Sequence, residues 1–365
     1  MKTTYLLNTI LLLSLTGWTP GWVCSQTPTS SPPLFLIQQE DKFGFINSKG
    51  KIVVEPRLAN AGAFHDGLAL AFEKGKWGYI DGTGTFVIEP QFDEAEFWDD
   101  QSWGGMLADT ILSEDEKIGS RSKPPKIKIT LKAFPFAENL ALVQQTEKEW
   151  ANFTKSPQIR YGFIDRTGKF AIPAQFEWAG AFSEGMAAVQ TGGKCGFIDP
   201  VGKMVIPAQY EAAREFRDGL APVRVKGFWG YINRQGEMVI PPQFSHAFPF
   251  REEVAVVVTR ESKSPLFRVV IDKTGKILFA NKVLLASSYS EGKIPFRPLG
   301  GETKWGYLDK TGKVVIPPQF AFAGAFSHGL ARVATKDQEL GTGWSYINSK
   351  GQIVWPSAGA RGKRK

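Results

Sequence analysis

One phrase returns along this chain at a period of roughly 34 residues. It reads Trp-Gly-Tyr-Ile-Asp, then a short turn ending in Gly-Lys, then Val-Val-Ile-Pro-Pro-Gln-Phe, and its clearest copy occupies residues 304–333. A stretch of the form Ala-x-x-Phe-x-x-Gly-Leu-Ala-x-Val leads into the next copy. Self-similarity at a fixed period marks an array of small structural units, each too small to hide its own apolar face, rather than one irregular catalytic domain. The Gly after the first aromatic falls at Gly44, Gly78, Gly162, Gly196, Gly230 and Gly306, and two degenerate copies put Val269 and Ser345 in that slot. The step from Gly78 to Gly162 is longer than the others, so extra chain lies between them.

Within a copy three segments have strand character, as in residues 330–334, 343–348 and 352–355. The link between the second and third carries hairpin chemistry: an Asx side chain to bond the turn backbone, then a Gly free to take a positive φ. It recurs from Asp81 to Gly84, Asp165 to Gly168, Asp199 to Gly202, Asn233 to Gly236, Asp272 to Gly275, Asp309 to Gly312 and Asn348 to Gly351. The sequence therefore predicts about eight three-stranded antiparallel meanders, over 34–56, 68–90, 140–173, 186–207, 220–241, 254–279, 292–317 and 330–355. Pro56, Pro90, Pro173, Pro207, Pro241, Pro317 and Pro356 close the third strands, where a missing N–H costs no ladder bond. Connector residues such as Phe176, Ala179, Phe182, Ala213 and Phe216 are expected to plug the gaps between neighbours. The Gly inside each second strand is expected to lie under a neighbouring aromatic ring.

The fold expectation is an all-β repeat protein, its meanders in an open curved, solenoid-like array or, alternatively, a closed propeller-like ring in which the connector supplies a fourth strand. The apparent completeness of both terminal units favours the open form.

These residues resemble the WG-repeat family, named for the Trp-Gly pair present here at Trp77-Gly78, Trp229-Gly230 and Trp305-Gly306. The similarity extends over nearly all of residues 34–356, with Cys195 in place of one Trp and Arg268-Val269 in place of one Trp-Gly pair. The resemblance implies a bacterial β-repeat protein and carries no catalytic residues that map onto this chain.

Residues 1–25 have the character of a secretory signal peptide: Lys2 supplies the positive start, residues 5–15 are mostly apolar, and Val23 and Ser25 suit cleavage before Gln26. Cys24 suggests a lipid anchor, but the Val23 before it disfavours that reading. Residues 26–33 form a Pro/Ser/Thr-rich leader. Cleavage would leave Cys195 as the one remaining thiol, expected to be structural because it stands where other copies carry an aromatic. The formal net charge is +8, of which Lys2, Arg361, Lys363, Arg364 and Lys365 carry five. The body is thus close to balance, and no nucleic-acid partner is expected; the basic tail, residues 357–365, is the segment that suits an anionic polymer.

His65, His246 and His328 all fall in connectors without ligand spacing, so neither a metal nor a cofactor is expected. The one sharp departure from the rhythm is an insertion at 96–132, with a shorter one at 144–157. The first carries Trp98, Asp99, Asp100 and Trp103, the pairing of rings and carboxylates that suits stacking on a sugar. The reading that follows is a non-catalytic binding or scaffold module outside the cytoplasm, presenting a broad surface to a protein or a cell-envelope glycan. The alternatives are a polysaccharide-acting enzyme on the same scaffold and an anionic-polymer binder acting through the tail.

Overall fold

The computed structural model describes residues 32–39, 41–96, 127–149, 156–260, 268–280, 283–286, 289–298, 304–335 and 345–355. The chain divides into residues 1–30 and 31–365, and the described residues all belong to the second part. The signal-peptide reading, Cys24 and the 357–365 tail lie outside them, as does all of the leader except Pro32 and Pro33.

The described residues are all-β, and every expected meander is present. The connector adds to it. Asn60–His65, Ile127–Ala137, Trp178–Ala179, Ala212–Ala213, Val283–Leu285 and Phe322–Ser327 each pair with the first meander strand of their own unit. Most sheets therefore run connector strand, then three meander strands, in simple sequence order. Unit 1 has only the three meander strands, Leu34–Gln39, Lys42–Asn47 and Ile52–Leu58. Units 5 and 6 are joined without a break: Met238–Ala247 is the third meander strand of one and the connector strand of the next, in one seven-stranded ladder. It changes partners at a register shift between Phe244 and His246, the device by which a strand turns from one sheet to another.

No unit has a core of its own. Among the described residues the buried apolar side chains fall into eight clusters, seven of which each straddle one junction between consecutive units. Alternation along the strands explains this: Trp77 and Tyr79 face the next unit, while Ala69, Ala71 and Ile80 face the previous one, so each sheet is buried on both faces. The connector phenylalanines fill the junctions as expected. Phe64 meets Phe45 at 4.7 Å between ring centroids, Phe136 meets Tyr79 at 4.9 Å, Phe216 meets Phe197 at 4.8 Å and Phe326 meets Tyr307 at 5.0 Å.

The eighth cluster joins the two ends of the array. Phe35, Ile37 and Ile46 of unit 1 pack with Leu330 and Tyr346 of unit 8. Elsewhere a second-strand tyrosine donates its hydroxyl to a connector carbonyl of the next unit: Tyr79 to Phe134, Tyr231 to Phe248, Tyr307 to Gly324. At the seam Tyr346 donates to the Leu36 carbonyl at 2.8 Å, an acceptor that a connector strand takes up in the other sheets. Asx-turn glycines likewise abut the third-strand aliphatic of the unit before, as Gly84 does Val54 and Gly236 does Ile206; at the seam Gly50 faces the Val354 carbonyl and the Trp355 ring of unit 8. Among the described residues no sheet closes into a barrel. The array of sheets curves until its last unit meets its first, the ring-like alternative, although both terminal units have complete meanders. Whole terminal units do not prevent closure, because side chains rather than a shared strand seal this seam.

The expectation about the second-strand glycine needs correction. A Cβ on Gly78 would sit 2.5 Å from the Ile88 carbonyl oxygen and 2.8 Å from the Pro90 nitrogen, and Gly44, Gly162, Gly196, Gly230 and Gly306 repeat the pattern. What crosses the glycine is the backbone of the third strand, not an aromatic ring. The register between Trp77↔Phe92 and Tyr79↔Ile88 shifts there, and the Pro-bearing bulge presses onto the bare Cα.

Candidate functional site: a constant rim and a variable rim

Each unit has two ends, and the chain treats them differently. At one end lie the Asx turns and the entry turns that join connector strand to first meander strand. All seven entry turns have two central residues, both at positive φ, as in Asp66-Gly67, Glu184-Gly185 and His328-Gly329. This is the type I′ geometry that matches the twist of paired strands. The first of the two is an acid in six copies, and its carboxylate accepts a backbone N–H from the entry turn of the next unit. Asp66 accepts from Asn139, Glu138 from Gly185, Glu184 from Gly219, Asp218 from Glu253, Glu252 from Gly292 and Glu291 from Gly329, at 2.7–3.1 Å. Bases on the Asx turns reach back to the same acids: Arg166 to Asp66 at 2.9 Å, Lys310 to the Glu252 carbonyl at 2.8 Å, and Arg234 to the Glu184 carbonyl.

The Asx turns are equally uniform. In all eight the Asp or Asn Oδ1 accepts the N–H groups two and four residues on, as Asp165 does from Thr167 and Lys169. Thr hydroxyl bonds, with backbone N–H bonds, hold the carboxyls of Asp165, Asp272 and Asp309 below the usual carboxylate range.

At the opposite end the lengths vary. The first and second meander strands are joined by two residues in units 1, 2, 4 and 5, but by 150–157, 260–268, 299–304 and 335–344 in units 3, 6, 7 and 8. The large insertion leaves from this end too. Its feet are paired: Glu94–Ala95 runs parallel to the Ile127–Ala137 strand, Glu96 donates its N–H to the Ala133 carbonyl, and Lys132 meets Glu96 at 2.6 Å. Beyond them Leu140–Glu149 lengthens its pairing with Ile127–Ala137 as far as Glu149↔Ile127. Both insertions seen in the sequence thus stand on one extended sheet. Trp98, Asp99, Asp100 and Trp103 lie outside the described residues; only the stem that carries them is seen.

The other sequence candidates are accounted for structurally. Cys195 is buried in a junction cluster, and burial pushes its thiol pKa up, away from a nucleophile. His65 ends a connector strand, His328 occupies an entry turn, and His246 lies exposed at the junction of units 5 and 6. Among the described residues no helix is long and apolar enough to cross a membrane.

Sequence reading missed the row of entry-turn acids. The signal was present: an acid stands directly before the Gly in Asp66-Gly67, Glu184-Gly185, Asp218-Gly219 and Glu291-Gly292. It also missed a basic sector in units 5–7. There Arg214 lies over Trp229 and Phe248, Arg268 over Phe248, Arg260 over Phe228 and Arg297 over Trp305, with guanidinium-to-centroid distances of 3.4–5.9 Å.

Such an architecture, small sheets with shared junction cores and a fixed period, defines an all-β repeat protein. The family model described as WG containing repeat matches residues 43–77, 77–102, 161–195, 196–227, 229–261 and 305–337, together more than half of the chain, and the chain belongs to that family. Comparison with curated proteins gives no match. Among solved structures there is similarity to HIRA(644-1017), 7% identical over 44% of this chain and 57% of that one, with a TM-score of 0.25. This chain thus spans less than two thirds of that protein's length. Cobalt-substituted Synechocystis ACO is 13% identical over 88% of this chain and 76% of that one, with a TM-score of 0.24. Neither likeness is strong enough to carry an argument about architecture or activity.

Proposed function

We propose that this is a non-catalytic binding or scaffold protein of the extracytoplasmic space, holding a protein or glycan ligand on its variable rim. The observation that carries the reading is the segregation of length. Seven entry turns and eight Asx turns are the same size on one rim, whereas the long connections between meander strands and the large insertion leave from the other. Scaffolds of this kind keep the framework constant and diversify the loops that meet a partner. The acids that recur in the repeat support the non-catalytic part, since they accept backbone N–H groups within turns or between them. Export rests on Lys2, the apolar residues 5–15 and the small-residue positions around Ser25.

The test is to replace residues 97–126 with a short Gly-Ser linker and to compare both proteins on a glycan array and against purified envelope proteins. The expected result is a ligand bound by the intact protein and lost with the insertion. Ligands retained in full by the shortened protein would sink the assignment to this rim. Depolymerisation of a polysaccharide that disappears in Asp99→Ala/Asp100→Ala would replace it with the enzymatic reading.

A further inference from the structure

Seven of the eight units carry a connector strand along their first meander strand, and unit 1 does not. Among the described residues Leu34–Gln39 pairs with Lys42–Asn47 alone, so its other edge is open to a further strand. The register Leu36↔Phe45, set against Ala188↔Phe197 and Pro222↔Tyr231, places Leu36 in the slot of Ala188 and Pro222. Those two carbonyls accept connector N–H groups, from Gly180 and Arg214. At the seam the Leu36 carbonyl accepts the Tyr346 hydroxyl, a side chain of unit 8.

A connector joins the third strand of one unit to the first strand of the next. At the seam two segments flank the empty place: the residues before Leu34 and those after Trp355. The first are barred. An entry turn holds both central residues at positive φ, and before Leu34 those places fall to Pro32 and Pro33, whose rings fix φ at about −65°. The second carry the connector phrase. Residues 60–64, 178–182 and 322–326 share Ala-Gly-Ala-Phe after their first residue, and the tail reads Ser357-Ala358-Gly359-Ala360-Arg361.

The change from Phe to Arg361 has its counterpart across the junction. Elsewhere a connector Phe shares its cluster with an Ala of the first meander strand: Phe136 with Ala141, Phe216 with Ala221, Phe326 with Ala331. The register Phe35↔Ile46, set against Ala331↔Ile347, puts Phe35 in the Ala slot. Its ring meets Tyr346 at 5.4 Å, as Phe326 meets Tyr307 at 5.0 Å. Unit 1 thus supplies from its own strand the ring that the tail phrase lacks.

We infer that residues 357–361 are the missing connector and add to the open edge of Leu34–Gln39 as an antiparallel fourth strand. Ser357 then lies opposite Gln38 and Ala358 opposite Ile37, as Trp178 lies opposite Gln190 and Ala179 opposite Val189. Pro356 leads to Ala358 without the Pro-Gln-Phe that intervenes after Pro317, so the path is short. It suffices, because three extended residues beyond Trp355 advance roughly 10 Å, the spacing of stacked sheets. Small residues are what the slot admits, since Phe35 already fills the space of a connector ring. Ladder hydrogen bonds then close the seam in addition to side chains. The inference goes beyond the function proposed above, because it holds whatever the variable rim binds.

The test uses the full chain with Cys24→Ser and the pair Gln38→Cys/Ser357→Cys. Gln38 is half-exposed, so its replacement leaves the junction core alone. Mild oxidation should link the two cysteines within the monomer, read by non-reducing electrophoresis and peptide mass. The yield should exceed tenfold that of Lys194→Cys/Ser357→Cys, whose first position is exposed in unit 4. Hydrogen exchange gives a readout without cysteines: deleting 357–365 should speed exchange of the Gln38 amide tenfold or more and leave the matching Gln190 amide unchanged. Linked dimers in place of linked monomers would mean that the edge takes the tail of a second copy, and would overturn the inference. So would a yield no higher than that of the Lys194 pair, or a Gln38 amide indifferent to the deletion; the edge is then bare or held by another segment.

Discussion

The two rims of this protein are made from the same repeats under opposite constraints. On the constant rim, each entry turn is within hydrogen-bond distance of the next, so an added residue would pull a carboxylate off its N–H partner. On the variable rim the short turns bond within their own unit instead: Gly192 and Gly193 donate their N–H groups to Glu177, and Gly227 donates to Glu211. Insertions there cost only loop entropy, which grows slowly with length. Tolerance of new chain is therefore a matter of contact between neighbours, not of the local turn sequence.

Five measurements would break or sharpen that contrast. The largest effect is expected from Gly230→Ala, whose Cβ would lie 2.4 Å from the Ile240 carbonyl; a loss on the order of 3 kcal/mol or more is expected in thermal denaturation. Replacing 150–157 with the two-residue link of unit 4 should by contrast stay within about 0.5 kcal/mol, and equal losses would erase the distinction. Next, Tyr231→Phe and Tyr346→Phe each remove one junction hydroxyl bond, and each should cost about 1 kcal/mol. A seam that costs nothing would mean that the ends merely touch.

Smaller still, and of opposite sign, is Glu253→Gly. Glu253 holds φ 72° at the second position of its entry turn, where five other copies use Gly, and its Lys273 partner lies at the surface. A gain of up to about 1 kcal/mol is expected, relief of left-handed strain exceeding the loss of an exposed ion pair. The least effect per turn comes from acid. The depressed carboxyls of Asp165, Asp272 and Asp309 contribute stability that is complete above the ordinary carboxylate pKa and is lost as pH falls through their lower folded values, below about pH 4. Exchanging all three for Asn, the residue already used at Asn47, Asn233 and Asn348, should flatten the acid limb of Tm against pH between 6 and 3.

What could be read from the sequence was whatever is decided locally or by period. The turn from Asn348 to Gly351 declared itself because its acceptor and its positive-φ residue are three positions apart. The junction role of Phe182 followed from its place in the connector. Gly78 was harder, since its reason lies in the backbone of a facing strand whose bulge no local pattern announces. The Asp66 carboxylate serves a turn 73 residues away, so an acid before a glycine read as ordinary turn composition. Arg268 was visible as a departure from the repeat, but its meeting with Arg214 on Phe248 depends on how two sheets face each other.

The contact between Tyr346 and Leu36 bears on how such a chain can evolve. An open stack lengthens by duplicating a segment at either end and loses nothing already made. Here a ninth copy would need room in a circuit whose eighth junction is already filled, and every interface would have to reopen by a little to admit it. The number of copies is thus inherited as a whole, and novelty has to enter through the connections rather than through the count.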